Sequence, residues 1–336
     1  MIRLLKLAMG RLGVLAKPPN NKTTRAFARY AWSTGEVKAG GLLVCDGFKS
    51  FHEPGLVSNT YMSDQSGLIE YKLNAAGYRG ELPDPDAEIR VCLIGESVAF
   101  GEGVDYADAL QSRLKTLLAQ ATGLPADKVN IVNLAIGGAS SDFCTRSLAR
   151  QFNNVQPHLI LYVVPAPDRL EFNEEEDNVN YAFSNFDLER LEEAPISAQG
   201  FCDLYNPLWG CVNWAKNLLF FQQFCHMRGV EHLAISPGPD WVVTQRPAVQ
   251  NFLSQIDRER YLELSVKSYR PDVAADTRHI GPETHRLLAI ACIDRLAQTL
   301  GSQPDFPWQS KLVAFANARR NSDPDWKAIR QHWFVR

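Results

Sequence analysis

The chain has 336 residues, 45% of them hydrophobic, enough to bury a large core as one big α/β domain or as a core with appendages. Its net charge of -3 is near balance, so nothing in the bulk charge points to nucleic acid or to a strongly acidic partner, and no nucleic-acid partner is expected. The seven cysteines are scattered, odd in number and without a C-x-x-C pair, and the seven histidines are dispersed, so a reduced compartment fits and no zinc spacing is present.

Residues 1–17, M-I-R-L-L-K-L-A-M-G-R-L-G-V-L-A-K, are amphipathic, but Lys6 and Arg11 interrupt any signal-peptide core. No run reaches the roughly eighteen apolar residues of a membrane span. The segment reads first as a helix docked on its own protein. A second reading lays it on a membrane surface with its basic side chains against anionic lipid. A cytoplasmic location is expected. Residues 1–85 show weak periodicity and are expected to form an irregular N-terminal extension packed on the core.

From Arg90 onward, apolar runs alternate with amphipathic stretches. Strands are predicted at Arg90–Ile94, Val129–Leu134, Leu159–Val164 and His232–Ser236, and helices over 107–120, 141–153, 207–228 and 281–300. Alternation of this kind predicts a three-layer α/β/α domain, residues 86–300, with a mainly parallel, flavodoxin-like sheet. An acidic insertion at 170–200 reads as a solvated loop or as a wall of the ligand crevice. The tail, 301–336, carries Trp308, Trp326 and Trp333 and is expected to pack back onto the body, since tryptophan is uncommon in a solvated tail.

In open parallel sheets, ligands bind beyond the carboxyl ends of the strands. Three segments fall there: Gly95-Glu96-Ser97, Gly137-Gly138-Ala139-Ser140, and Pro165-Ala166-Pro167-Asp168-Arg169. Ser97 alone reads as a helix cap at least as readily as a nucleophile. Asp276 and His279 alter that balance. A carboxylate three residues before a histidine can orient the imidazole and stabilise the imidazolium, while the other ring nitrogen takes a serine proton.

These blocks resemble the SGNH, or GDSL-type, serine hydrolases over roughly Asn74 to Leu300. Gly95-Glu96-Ser97 is similar to the family's G-D-S, N-A-A-G-Y-R-G-E (74–81) to the N-x-x-G-x-R segment before the first strand, and N-L-A-I-G-G-A-S (133–140) to the block whose glycine, here Gly138, binds the oxyanion. Asp276, His279, Pro282 and His285 match the last block. The resemblance implies Ser97 as nucleophile, His279 as base, Asp276 as its orienter, and the N–H groups of Ser97 and Gly138 as oxyanion donors, with no cofactor or metal. In the third block, Pro167 stands where the family has an asparagine donor; loss of such a donor costs about 3 to 4 kcal/mol in the transition state. Arg169 is the candidate replacement, or else a surface ion-pair partner of Glu171. Glu96, in place of aspartate, is expected to brace the turn. The α/β-hydrolase elbow G-x-S-x-G is absent, because Ala99 stands at its last position.

The expected activity is hydrolysis of a carboxylic ester, on a small molecule or a carbohydrate. The alternatives are a non-catalytic module that binds carbohydrate or protein, motivated by the missing asparagine, and an O-acyltransferase.

Overall fold

The computed structural model describes residues 69–167, 169–174, 179–183, 207–236, 245–264, 266, 270–299 and 308–334, with short strands at 28–31, 38–39, 42–43 and 61–63. The N-terminal amphipathic segment, Asp168 and most of the acidic insertion lie outside the described residues.

Five strands form one parallel sheet: β1 (Ile89–Ile94), β2 (Val129–Asn133), β3 (Leu159–Val163), β4 (Glu231–Ser236) and β5 (Tyr261–Glu263). Their spatial order is β5-β4-β3-β1-β2, every neighbouring pair parallel. This is the doubly wound 2-1-3-4-5 order, which reverses at β1 and opens a crevice between the carboxyl ends of β1 and β3.

Side-chain alternation feeds two cores, one on each face of the sheet. Val91, Leu93, Leu161 and Leu233 point to one face, against helices α2 (Leu110–Thr122) and α6 (Pro282–Thr299). Cys92, Ile94, Ile160 and Tyr162 point to the other, against α3 (Ser141–Val155), α4 (Pro207–Met227) and α5 (Pro247–Leu253). Because both faces are covered, the central strands read as continuous apolar runs. The fold is the three-layer α/β/α expected from sequence, and Cys92, Cys144, Cys211, Cys225 and Cys292 are buried within it.

The tail supplies α7 (Gln309–Arg320) and α8 (Pro324–His332), which lie over the α2/α6 layer and bury Trp308, Trp326 and Trp333. At the head of the acidic insertion, Leu170–Glu174 pairs antiparallel with Val179–Phe183, which in turn pairs with Ala28–Ala31. That part of the segment therefore supplies two strands of a three-stranded sheet and is not a loop. No helix among the described residues is long and apolar enough to cross a membrane.

Candidate active site

Ser97 opens α1 (Ser97–Phe100), a single helical turn directly after β1. Gly95 makes the exit from the strand possible. A Cβ there would lie 2.7 Å from both the Ala99 Cβ and the Val163 carbonyl, so any larger residue would push α1 off the sheet. Ser97 is 3% exposed. Its N–H donates to Oε2 of Glu96 at 2.6 Å, and its hydroxyl donates to the same oxygen. Glu96 is thus the cap of the helix that Ser97 begins, where the sequence alone left Ser97 itself as the possible cap.

Arg169 reaches the same carboxylate. Its Nη1 lies 2.5 Å from Oε2 of Glu96, while Glu171 pairs with Arg146 at 3.1 Å. Burial pushes the Glu96 carboxyl up, but the Arg169 guanidinium, the Ser97 hydroxyl and the nearby His279 bring it below the usual carboxylate range. Arg169 follows a turn closed by its own N–H on the Ala166 carbonyl at 3.2 Å, with Pro167 buried inside that turn.

The loop before α6 holds the other pair. His279 Nδ1 lies 2.5 Å from Oδ2 of Asp276. The second oxygen, Oδ1, accepts the N–H groups of Arg278 at 2.9 Å and His279 at 3.0 Å. Burial raises the Asp276 carboxyl, and these donors more than offset it, leaving it below its ordinary value. With both oxygens engaged, Asp276 fixes the imidazole orientation and favours the tautomer protonated on Nδ1, which leaves Nε2 as the acceptor.

Glu102, which is none of the motif positions, links the two halves. Its N–H donates to the Ser97 carbonyl at 2.9 Å, while its Oε2 stands 3.8 Å from Nε2 of His279. On its other side the carboxylate rests against Gly137, where a Cβ would come within 2.7 Å of Oε2. Gly138 follows in a left-handed conformation (φ 77°), at the turn leaving β2. The signal in the sequence is G-E-G, an acid between two glycines in an otherwise apolar turn.

Glu102, Asp276 and His279 bring their ligand atoms within 4.8 Å of one another. The carboxylates approach opposite edges of the imidazole, Asp276 at Nδ1 and Glu102 at Nε2. That geometry suits a hydrogen-bonded base better than three ligands converging on one ion.

No family model matches the sequence, and no curated protein does. Solved structures similar to this chain include the psychrotrophic esterase EstA from Pseudoalteromonas sp., 12% identical over 63% of this chain and 100% of that one, with a TM-score of 0.37. The acetylxylan esterase Axe2 from Geobacillus stearothermophilus is 16% identical over 66% of this chain and 96% of that one, TM-score 0.36. TesA is 14% identical over 62% of this chain and 97% of that one, also at 0.36. At these scores the likeness fixes neither activity nor substrate.

Proposed function

We propose that the chain is a carboxylic ester hydrolase of the SGNH type acting through Ser97, His279 and Asp276. The observation that carries this reading is the Asp276–His279 pair: both carboxylate oxygens are engaged, and Nε2 is turned toward the segment that begins at Ser97.

In the reaction, the Ser97 hydroxyl swings from Glu96 toward His279. Nε2 takes its proton as Oγ attacks the acyl carbon, and the carbonyl electrons move onto oxygen. Asp276 stabilises the imidazolium. Collapse of the intermediate expels the alkoxide, which takes the proton from Nε2; water then repeats the sequence on the acyl-serine and releases the acid. The oxyanion is assigned to the N–H of Gly138 and to Arg169, joined by the Ser97 N–H once Glu96 releases it. No cofactor takes part in these steps. The proposed substrate is a small or carbohydrate ester.

One observation favours the non-catalytic alternative: the Ser97 hydroxyl is held by Glu96, itself paired with Arg169. A serine-directed fluorophosphonate separates the two readings. Labelling that disappears in Ser97→Ala, together with loss of p-nitrophenyl acetate hydrolysis in that variant, is the expected result. A folded wild type that does not label, or a Ser97→Ala variant that hydrolyses at the wild-type rate, would overturn the assignment.

A further inference from the structure

A helix of one turn cannot hold itself together, since its nucleation is unfavourable and its terminal carbonyls have no partners within it. The turn that carries Ser97 has this problem at its carboxyl end. Glu96 serves the amino end. At the other end, the Ser97 carbonyl is taken by the N–H groups of Gly101 and Glu102, both at 2.9 Å. The carbonyls of Ala99, Phe100, Gly101 and Val104 are met by two side chains from distant parts of the chain.

Asn133, the last residue of β2, donates from Nδ2 to the Ala99 carbonyl at 2.8 Å, and its Oδ1 accepts the Ala135 N–H at 2.9 Å. Arg79 donates from Nη1 to the carbonyls of Phe100 at 3.0 Å and Gly101 at 2.5 Å, and from Nη2 to Val104 at 2.8 Å. Each of these two side chains is 1% exposed. The guanidinium carbon lies 4.7 Å from the centre of the Tyr71 ring and 5.3 Å from that of Phe100. Burial lowers the Arg79 pKa to about 10, which leaves it charged at neutral pH. A planar fork can meet three carbonyls at once, which a lysine ammonium on a single stem cannot do with the same geometry.

The clamped turn also touches the base. Gly103 donates its N–H to the Tyr71 hydroxyl at 2.7 Å, and its carbonyl accepts the N–H of Ala275, next to Asp276, at 2.9 Å. One end of residues 97–104 is thus the nucleophile, and the other end anchors the loop of Asp276 and His279.

We propose that Arg79 and Asn133 are positioning residues that clamp the turn 97–104 and so set the placement of Ser97 relative to His279. The role in catalysis rests on the esterase reading; the clamp itself does not.

The full chain is compared as wild type, Arg79→Met, Arg79→Lys, Asn133→Ala and Leu312→Ala, the last a core truncation on α7 that controls for lost stability. Displacement by about 1 Å is worth on the order of a hundredfold in rate. At a temperature where all variants are folded by circular dichroism, Arg79→Met and Asn133→Ala are therefore expected to label with fluorophosphonate about a hundredfold more slowly. Their KM for p-nitrophenyl acetate should stay within about twofold. Arg79→Lys should recover part of the rate, and Leu312→Ala should lower Tm with the rate unchanged. Wild-type labelling in Arg79→Met, or a loss matched by Leu312→Ala, would overturn the positioning role. Hydrogen exchange is read in parallel and needs no activity. Amides of residues 97–104 should exchange at least about tenfold faster in Arg79→Met while β3 keeps its protection; unchanged protection at 97–104 would overturn the clamp even if Ser97→Ala showed that the protein is no esterase.

Discussion

Glu96 and Ser97 are joined twice through one atom: Oε2 of Glu96 accepts both the N–H and the hydroxyl of Ser97. The same oxygen takes Arg169 at 2.5 Å, so one carboxylate caps the helix, holds the proposed nucleophile and neutralises a largely buried cation. Glu96→Ala removes all three functions. Discounted for the partial exposure of Arg169, the loss should cost about 2 kcal/mol, read as a lower denaturant midpoint. Glu96→Gln, which keeps an acceptor but not the charge, should fall between. Equal stability of Glu96→Ala and wild type would show that the ion pair contributes nothing to the fold.

Glu102 faces Nε2 of His279, the nitrogen proposed to take the serine proton. In that role its negative charge, about 4 Å away, would stabilise the imidazolium as it forms: about 1 kcal/mol at that distance in bulk water and about 4 near a protein surface, brought to about 1 to 2 kcal/mol by solvent screening of the partly exposed pair. Glu102→Gln is nearly isosteric and should lower kcat about five- to thirtyfold with a smaller change in KM. An unchanged kcat would remove Glu102 from the proposed machinery.

Acid should unfold this protein through its buried histidines. Burial lowers His232 to about 4 and His285 to about 3, and Nε2 of His232 and both ring nitrogens of His285 find no hydrogen-bond partner among the described residues. Between these values and about 6.5 the unfolded chain binds the protons and the native one does not, so stability rises with pH there. It falls as pH drops, by up to about 1.4 kcal/mol per pH unit for each group. Glu96 and Asp276, both held below their ordinary values, add to the loss at lower pH, as they become protonated. Urea unfolding at pH 7, 6, 5 and 4 should show a steady decline, shallower in His232→Gln. A flat profile down to pH 4.5 would contradict it.

The strands and helices of the alternating core were legible because both sheet faces are buried, which makes β3 an unbroken apolar run and leaves β1, β2 and β4 mostly apolar. β5 was missed. It is three residues long and follows Asp257, Arg258, Glu259 and Arg260, a stretch that reads as surface. The helices of the tail carried a signal that prolines masked: Trp308, Leu312 and Ala316 recur every four residues, as Trp326, Ile329 and Trp333 do at three and four, and all six are buried. In the site, the Asp276–His279 contact followed from a spacing of three in one loop. Glu102 did not, because its position depends on the turn at Gly101 and Gly103 folding back over Ser97. Arg79 and Asn133 were visible only as letters in motifs, since a side chain that bonds carbonyls 21 to 34 residues away leaves no local pattern.

Gly103 offers the sharpest test of how the two halves of the site are coupled. It sits at φ 79°, a left-handed conformation that other residues rarely adopt. A Cβ there would lie 2.7 Å from the Ala274 Cβ and 3.1 Å from Cγ of Asp276. Gly103→Ala therefore strains the turn and pushes directly on the loop that orients His279, while the sheet and both cores are untouched. The expected variant is folded, with a modestly lower Tm, and hydrolyses p-nitrophenyl acetate about a hundredfold more slowly. Gly123→Ala makes the matched control: it too has a positive φ, 69°, but a Cβ there meets nothing within 4 Å. It should lose stability from backbone strain alone and keep its rate. If the two variants lose activity equally, the contact between residue 103 and Asp276 does not govern the placement of the base, and strain alone explains both.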